Sequence, residues 1–166
     1  ENKIISKEER DAVQQEIYNQ KPLLEVNSLS KYYTIQKGVF SSRQLYTAVN
    51  QVSFKLYPGE TLGLVGESGC GKSTLSNAIL MLDPPSKGEI LFEQKCITSF
   101  DKKALKKLRK DIQIIFQDPF ASLNPRISVG KAILEPMTVH NIGNDSKDRT
   151  AKVKALLLQV GLKQED

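Results

Sequence analysis

The sequence predicts an α/β fold, with a mostly parallel core sheet, helices between its strands, and an antiparallel β subdomain at the N-terminal side. Three observations predict it. The segments LLEVNSL, YYTI and YTAVNQVSFKLY carry β-branched and aromatic residues in partial alternation, the pattern of strands with one exposed face. TLGLVG and IQIIF are short, unbroken apolar runs, the pattern of strands buried on both faces. KSTLSNAILML and the stretch 147–160 carry helical periodicity.

Residues 1–21 are polar, begin without Met and run up to Pro22. They can form a helix, but Ile4, Ile5, Val13 and Ile17 make no continuous apolar stripe. The segment reads as a leader or linker cut from a longer polypeptide, and the domain is expected over 22–166. Strands follow from Leu23, interrupted by the polar loop QKGVFSSRQ. Pro58-Gly59 marks a turn before TLGLVG. The helix KSTLSNAILML is stopped by Asp83-Pro84-Pro85. Gly88 to Phe92 reads as a strand, and Asp101 to Lys110 as a basic helix capped by Asp101. IQIIF at 112–116 is the second buried strand. FQDPFASLNPR cannot be regular throughout, because Pro119 and Pro125 each remove a backbone donor. Helices are expected at 128–140 and 147–160. In the second, Val153, Leu156, Leu157 and Val160 fall at i, i+3, i+4 and i+7, with Gly161 as the stop.

The chain has 166 residues, 39% hydrophobic and 26% charged, with 10 Gly and 7 Pro, which excludes disordered and collagen-like classes. No apolar run approaches the roughly 18–20 residues of a spanning helix, so the chain is not itself a channel. The opening ENKIISKEER carries no apolar stretch of a signal peptide. Of the 24 Lys and Arg, six fall in KKALKKLRK (102–110), leaving 18 against 19 acidic residues elsewhere. One helix is basic rather than the whole surface, so no nucleic-acid partner is expected; a solvated face with Leu105 and Leu108 turned inward explains it. Cys70, Cys96 and the lone His140 form neither a disulfide framework nor a zinc set, which fits a reduced, cytosolic setting.

One motif carries chemistry. Gly66-Glu67-Ser68-Gly69-Cys70-Gly71-Lys72-Ser73 matches G-x-x-x-x-G-K-[ST] in full, between a predicted strand and a predicted helix. Glycines there turn successive backbone N–H groups into a concave anion nest, and the following helix aims its positive end at the same point. Lys72 reaches the β- and γ-phosphates of a nucleotide, the Ser73 hydroxyl ligates Mg²⁺, and Thr74 reaches the α-phosphate. Cys70 reads as a spacer in the nest. Its place at a helix N-terminus favours alkylation, from which bound nucleotide is expected to protect it.

The surroundings narrow the class. LSKYYTI, the loop after it, TAVNQVSFKLYPGETLGLVGESGCGKSTL, PPSKGEILF and IQIIFQDPFASLNPRISVG together resemble the nucleotide-binding subunits of ABC transporters, and within them the oligopeptide/dipeptide importer ATPases. The resemblance covers roughly residues 23–161. It implies a P-loop ATPase core in which Tyr33 stacks on adenine, with Tyr32 as the off-by-one alternative, and Val49 packs near the ribose. It implies that Gln117 is the Q-loop glutamine, which ligates Mg²⁺ or orients the attacking water; Lys72 and Gln117 are then the catalytic pair. Asp118 to Val129 would meet the membrane subunits. The implied cofactors are ATP and Mg²⁺. The implied partners are two transmembrane permeases, a second ABC ATPase subunit and an upstream solute-binding protein, at the cytoplasmic face of the membrane.

The family's LSGGQ-type signature, its apolar strand ending in Asp-Glu and its later switch His do not occur before the sequence reaches Gln164-Glu165-Asp166. The chain therefore reads as the N-terminal, truncated part of an ABC-type ATP-binding domain, itself expected inactive, with function assigned to its parent. Two rivals stand beside this reading. A small P-loop phosphotransferase would use Asp118 as its metal-binding carboxylate, but Gln117 interrupts the apolar run and no lid arginine cluster follows. A non-transport ABC ATPase keeps the fold, but FQDPFASLNPR favours importers. A GTPase is disfavoured by the lack of an N-K-x-D motif.

Overall fold

The structure is a computed structural model that describes residues 6–36, 38, 42–116 and 123–162. It divides into two units, Glu1–Ile112 and Gln113–Asp166.

In the first unit, helix α1 (Lys7–Tyr18) starts at a capping box: the Glu9 N–H donates to Ser6 Oγ at 3.1 Å, and the Ser6 N–H donates to Glu9 Oε2 at 2.9 Å. The helix is mostly exposed, as its polar sequence demands. Its C-terminal end makes the contacts: the Tyr18 ring lies 5.0 Å from that of Tyr57, and the Tyr18 hydroxyl donates to Glu60 Oε1 at 3.3 Å.

Strands β1 (Leu24–Ile35), β2 (Gln44–Leu56), β3 (Lys87–Phe92) and β4 (Lys95–Cys96) form one antiparallel sheet in the order β2-β1-β3-β4. The predicted N-terminal segments thus fuse into two long strands, with Val26 opposite Phe54 and Tyr33 opposite Tyr46. The β1–β2 register shifts between Val26 and Tyr32, where Ser28 and Gln51 each take a positive φ of 49°. Such irregularities free backbone donors, and serines take them up. The Ser28 N–H donates to Ser53 Oγ at 2.8 Å, the Gln51 N–H to Ser30 Oγ at 2.9 Å, and the Tyr32 N–H to Ser86 Oγ at 3.0 Å.

Helix α2 (Lys72–Ile79) packs on this sheet with Leu75 and Ala78 buried. With Leu24, Val26, Leu29, Val49, Met81, Ile90, Ile97 and Leu108 they form the core. A 3₁₀ turn (Ile97–Ser99) leads into α3 (Lys102–Leu108), whose cap is Asp101, accepting from the Ala104 N–H at 2.7 Å. Leu108 is buried and Leu105 packs beside the core, while the helix's lysines face solvent, as the amphipathic reading requires. In the second unit, α4 (Val129–Val139) and α5 (Ser146–Gln159) pack through Met137, Val153 and Leu157. Gly161 ends α5 with φ 78°, the Leu162 N–H reaching back to the Leu157 carbonyl at 2.9 Å.

Two expectations fail among the described residues. Neither TLGLVG nor IQIIF forms a strand, and the observed pairings are all antiparallel. Val65 is 90% exposed and Ile115 97% exposed. A strand buried on both faces needs backbone partners on its two edges and cover above and below. Neither run is paired to a strand among the described residues. Apolar composition states a demand for burial, but composition cannot supply the neighbours that satisfy it.

Candidate functional site

The site is built where β2 feeds, through the turn at Pro58-Gly59, into the loop ahead of α2. Gly69 takes φ 81°, and Gly71, the N-cap of α2, takes φ 99°. Both lie in the region that side-chain-bearing residues avoid. Gly71 is also pressed against β2: a Cβ there would collide with the Ala48 carbonyl oxygen and lie 3.6 Å from Val49 Cγ2. A Cβ at Gly66 would come within 2.7 Å of Cys70 Sγ. The loop therefore needs glycine at Gly69 and Gly71 to curl as it does, whereas at Gly66 the exposed Cys70 side chain could move aside.

Inside the curl sits Lys72. Its Nζ donates to the carbonyls of Gly66 and Glu67, each at 2.7 Å, and lies 3.6 Å from Cys70 Sγ. The ammonium is thus folded back over the loop with its charge at the N-terminal end of α2. Cation and helix dipole converge on one point, which is the electrostatic requirement for holding a polyanion. Ser73 is exposed on the first turn of α2, and Glu67, Ser68 and Cys70 are exposed on the loop. A cavity of about 390 Å³ between β2 and the loop is lined by residues that include Thr47, Val49, Cys70, Gly71 and Lys72. Val49 itself is a buried core residue beneath Gly71.

Tyr33, on β1, is drawn toward the end of α2. Its hydroxyl donates to Asp83 Oδ2 at 2.6 Å. The hydrogen bond to the Asp83 carboxylate, with some burial and the carboxylate's charge, raises the pKa of that phenol above the ordinary tyrosine value. Asp83 pairs in turn with the buried Lys31, which also donates to the Pro84 carbonyl at 2.7 Å. Hydrogen bonds from Lys31 and Tyr33 hold the Asp83 carboxyl below the usual carboxylate range. Tyr32, on the other face of β1, has Lys87 Nζ at 6.0 Å from its ring centroid. Gln117 and Asp118 lie outside the described residues.

Sequence reasoning missed Lys31 and Asp83. Asp83 was read only as part of a helix stop, and no local pattern joins residues 52 positions apart. Among the described residues no cluster of three or more His, Cys, Asp or Glu is placed to hold a metal by itself. A hydroxyl such as that of Ser73 suits Mg²⁺ only as a supplement to phosphate oxygens.

The ABC transporter family profile matches residues 49–166. The chain belongs to the ABC transporter family. It is 49% identical over 147 residues to the oligopeptide transport ATP-binding protein OppF of Haemophilus influenzae, covering 87% of this chain and 44% of that protein. It is 46% identical to the oligopeptide transport ATP-binding protein AppF of Bacillus subtilis, again covering 87% of this chain and 44% of the relative. Against the glutathione import ATP-binding protein GsiA of Pectobacterium atrosepticum the identity is 48%, over 87% of this chain and 23% of that protein. The chain thus spans less than half the length of these relatives. Among solved structures, the dimeric post-hydrolysis state of the ATP-binding cassette MJ0796 bound to ADP and Pi superposes with a TM-score of 0.68 at 23% identity, covering 86% of this chain and 59% of that one. CbiO1 from Clostridium perfringens, part of the ABC transporter complex cbiONQ, superposes with a TM-score of 0.60 at 28% identity, covering 86% of this chain and 52% of that one. The fold is that of an ABC ATPase cassette, and the antiparallel sheet expected from the N-terminal strands is present in it. No helix among the described residues is long and apolar enough to cross a membrane.

Proposed function

We propose that this chain is the nucleotide-binding part of an ABC importer subunit that couples ATP hydrolysis to the uptake of oligopeptides or dipeptides. Residues 22–166 are the N-terminal part of its ATP-binding domain, and residues 1–21 its leader or linker. The observation that carries the reading is the Lys72 ammonium folded onto the Gly66 and Glu67 carbonyls at the start of α2. A triphosphate entering the nest would take over that ammonium and the N–H groups around it.

Main-chain N–H groups from Gly66 to Thr74 grip the phosphates, with Glu67, Ser68 and Cys70 as spacers. The Ser73 hydroxyl and Gln117 contribute to Mg²⁺, and Tyr33 carries the adenine beside Val49. ATP supplies the phosphoanhydride bond whose hydrolysis drives the cycle, and Gln117 orients the water. FQDPFASLNPR and the OppF and AppF relatives support a peptide importer. The GsiA relatives extend the solute class to glutathione. Two transmembrane permeases, a second ATPase subunit and a solute-binding protein complete the system, with this subunit peripheral on the cytoplasmic face of the membrane. Uptake of a labelled peptide by cells carrying Lys72→Ala in the intact gene tests the reading: transport should be lost, and wild-type uptake would contradict it.

A further inference from the structure

The contacts around Tyr33 go beyond what stacking on a base requires. One acceptor, Asp83, receives the Tyr33 hydroxyl at 2.6 Å and the Lys31 ammonium together. Lys31 is only 8% exposed, and its Nζ stands 5.3 Å from the Tyr33 ring centroid, close enough for a cation–π contact with one face. Tyr33 keeps 37% of its surface in solvent, so the ring is held at its hydroxyl and against one face while still accessible.

Asp83 is itself tied to α2. That helix ends early because Met81 turns left-handed at φ 53°, so the Leu82 and Asp83 N–H groups both return to the Asn77 carbonyl, at 3.0 and 3.3 Å. Tyr33 is therefore fastened, through Asp83, to the C-terminal end of α2, the helix whose N-terminus faces the phosphate nest.

We infer that Asp83, anchored by Lys31, is a positioning residue that fixes the Tyr33 ring as a preset base platform at a set distance from the phosphate nest. The inference rests on the proposed adenine contact of Tyr33. Asp83 touches no nucleotide; it acts by removing the freedom that Tyr33 would otherwise lose on binding. Ordering one side chain beforehand changes affinity by about 2- to 10-fold. Stacking itself is worth more, about 5- to 100-fold per base.

The test measures affinities for Mg-ATP and for Mg-tripolyphosphate, which lacks the base, on the intact protein by calorimetry. Tyr33→Phe keeps the ring and the Lys31–Asp83 pair and removes only the hydroxyl. It should weaken ATP binding by about 2- to 10-fold and leave tripolyphosphate unchanged. Asp83→Asn should do the same, and the double variant should be no weaker than the weaker single one. If Tyr33→Ala weakens ATP while Tyr33→Phe binds as wild type, the platform stands and the clamp is refuted. If Tyr33→Ala leaves ATP binding unchanged, the platform reading fails. Equal losses for ATP and tripolyphosphate would mark a purely structural role and overturn the inference. Should Asp83→Asn fail to fold because Lys31 is left buried, Tyr33→Phe decides alone.

Discussion

Gly69 and Gly71 make a matched pair for testing why the phosphate loop has its shape. Both take positive φ, 81° and 99°, so replacing either with alanine imposes the same kind of backbone strain, about 1–2 kcal/mol. They differ in what a Cβ would meet. At Gly69 it would find nothing within 4 Å; at Gly71 it would strike the Ala48 carbonyl oxygen, with the carbonyl carbon at 3.4 Å. That oxygen belongs to a strand of the sheet and can move only with it, so overpacking adds about 1–3 kcal/mol. Gly71→Ala should therefore cost about 2–5 kcal/mol in all, and Gly69→Ala about 1–2. At about 2–4 °C per kcal/mol for a domain of this size or somewhat larger, Gly71→Ala should lower the melting temperature by about 4–20 °C and Gly69→Ala by about 2–8 °C. Thermal unfolding of nucleotide-free protein, followed by circular dichroism, reads both. Equal shifts would show that the contact with β2 does not shape the loop, and the reasoning would fail.

Three further outcomes are expected. Gly88→Ala should be among the most destabilising single substitutions in the sheet, because at φ 91° its Cβ would come within 2.6 Å of the Asn27 and Ser28 carbonyl oxygens and of Leu29 Cα. A urea midpoint unchanged from wild type would contradict it. The depressed pKa of Asp83 means that its pairing stabilises the fold above the ordinary carboxylate range and is lost as pH falls through the folded value. The melting-temperature gap between wild type and Asp83→Asn should therefore close on acidification below about pH 4, and a gap constant throughout acid would refute this. Cys70 is exposed on the nest beside Lys72, so Mg-ATP should slow its modification by a thiol reagent. Equal labelling with and without nucleotide would count against a ligand in the loop.

Much of this was readable residue by residue where the controlling interactions are local. Asp101 at the start of α3 and Gly161 at the end of α5 act within one helical turn of themselves, so sequence spacing states their role. Of the predicted stripe on α5, Val153 and Leu157 are buried, whereas Leu156 and Val160 are exposed, because only one side of the helix meets α4. The nest was legible for the same reason: eight consecutive residues carry its glycines, its lysine and its hydroxyl. Interactions across the sheet were not. The β1–β2 irregularity depends on Ser53 and Ser86 meeting donors 25 and 54 residues away, and Lys31 finds Asp83 only because β1 and the end of α2 are brought together. TLGLVG shows the converse case. Its composition states a need for burial on two faces, but a strand is a property of its neighbours as much as of itself.

The central claim is that the loop from Gly66 to Thr74, with Lys72 at its focus, holds the phosphates of ATP. Isothermal calorimetry of the intact protein with Mg-ATP, wild type against Lys72→Ala, tests it most directly. The account predicts saturable heat in the wild type, requiring magnesium, and its loss in the variant. The same isotherm from both proteins, or no heat from the wild type, would contradict it.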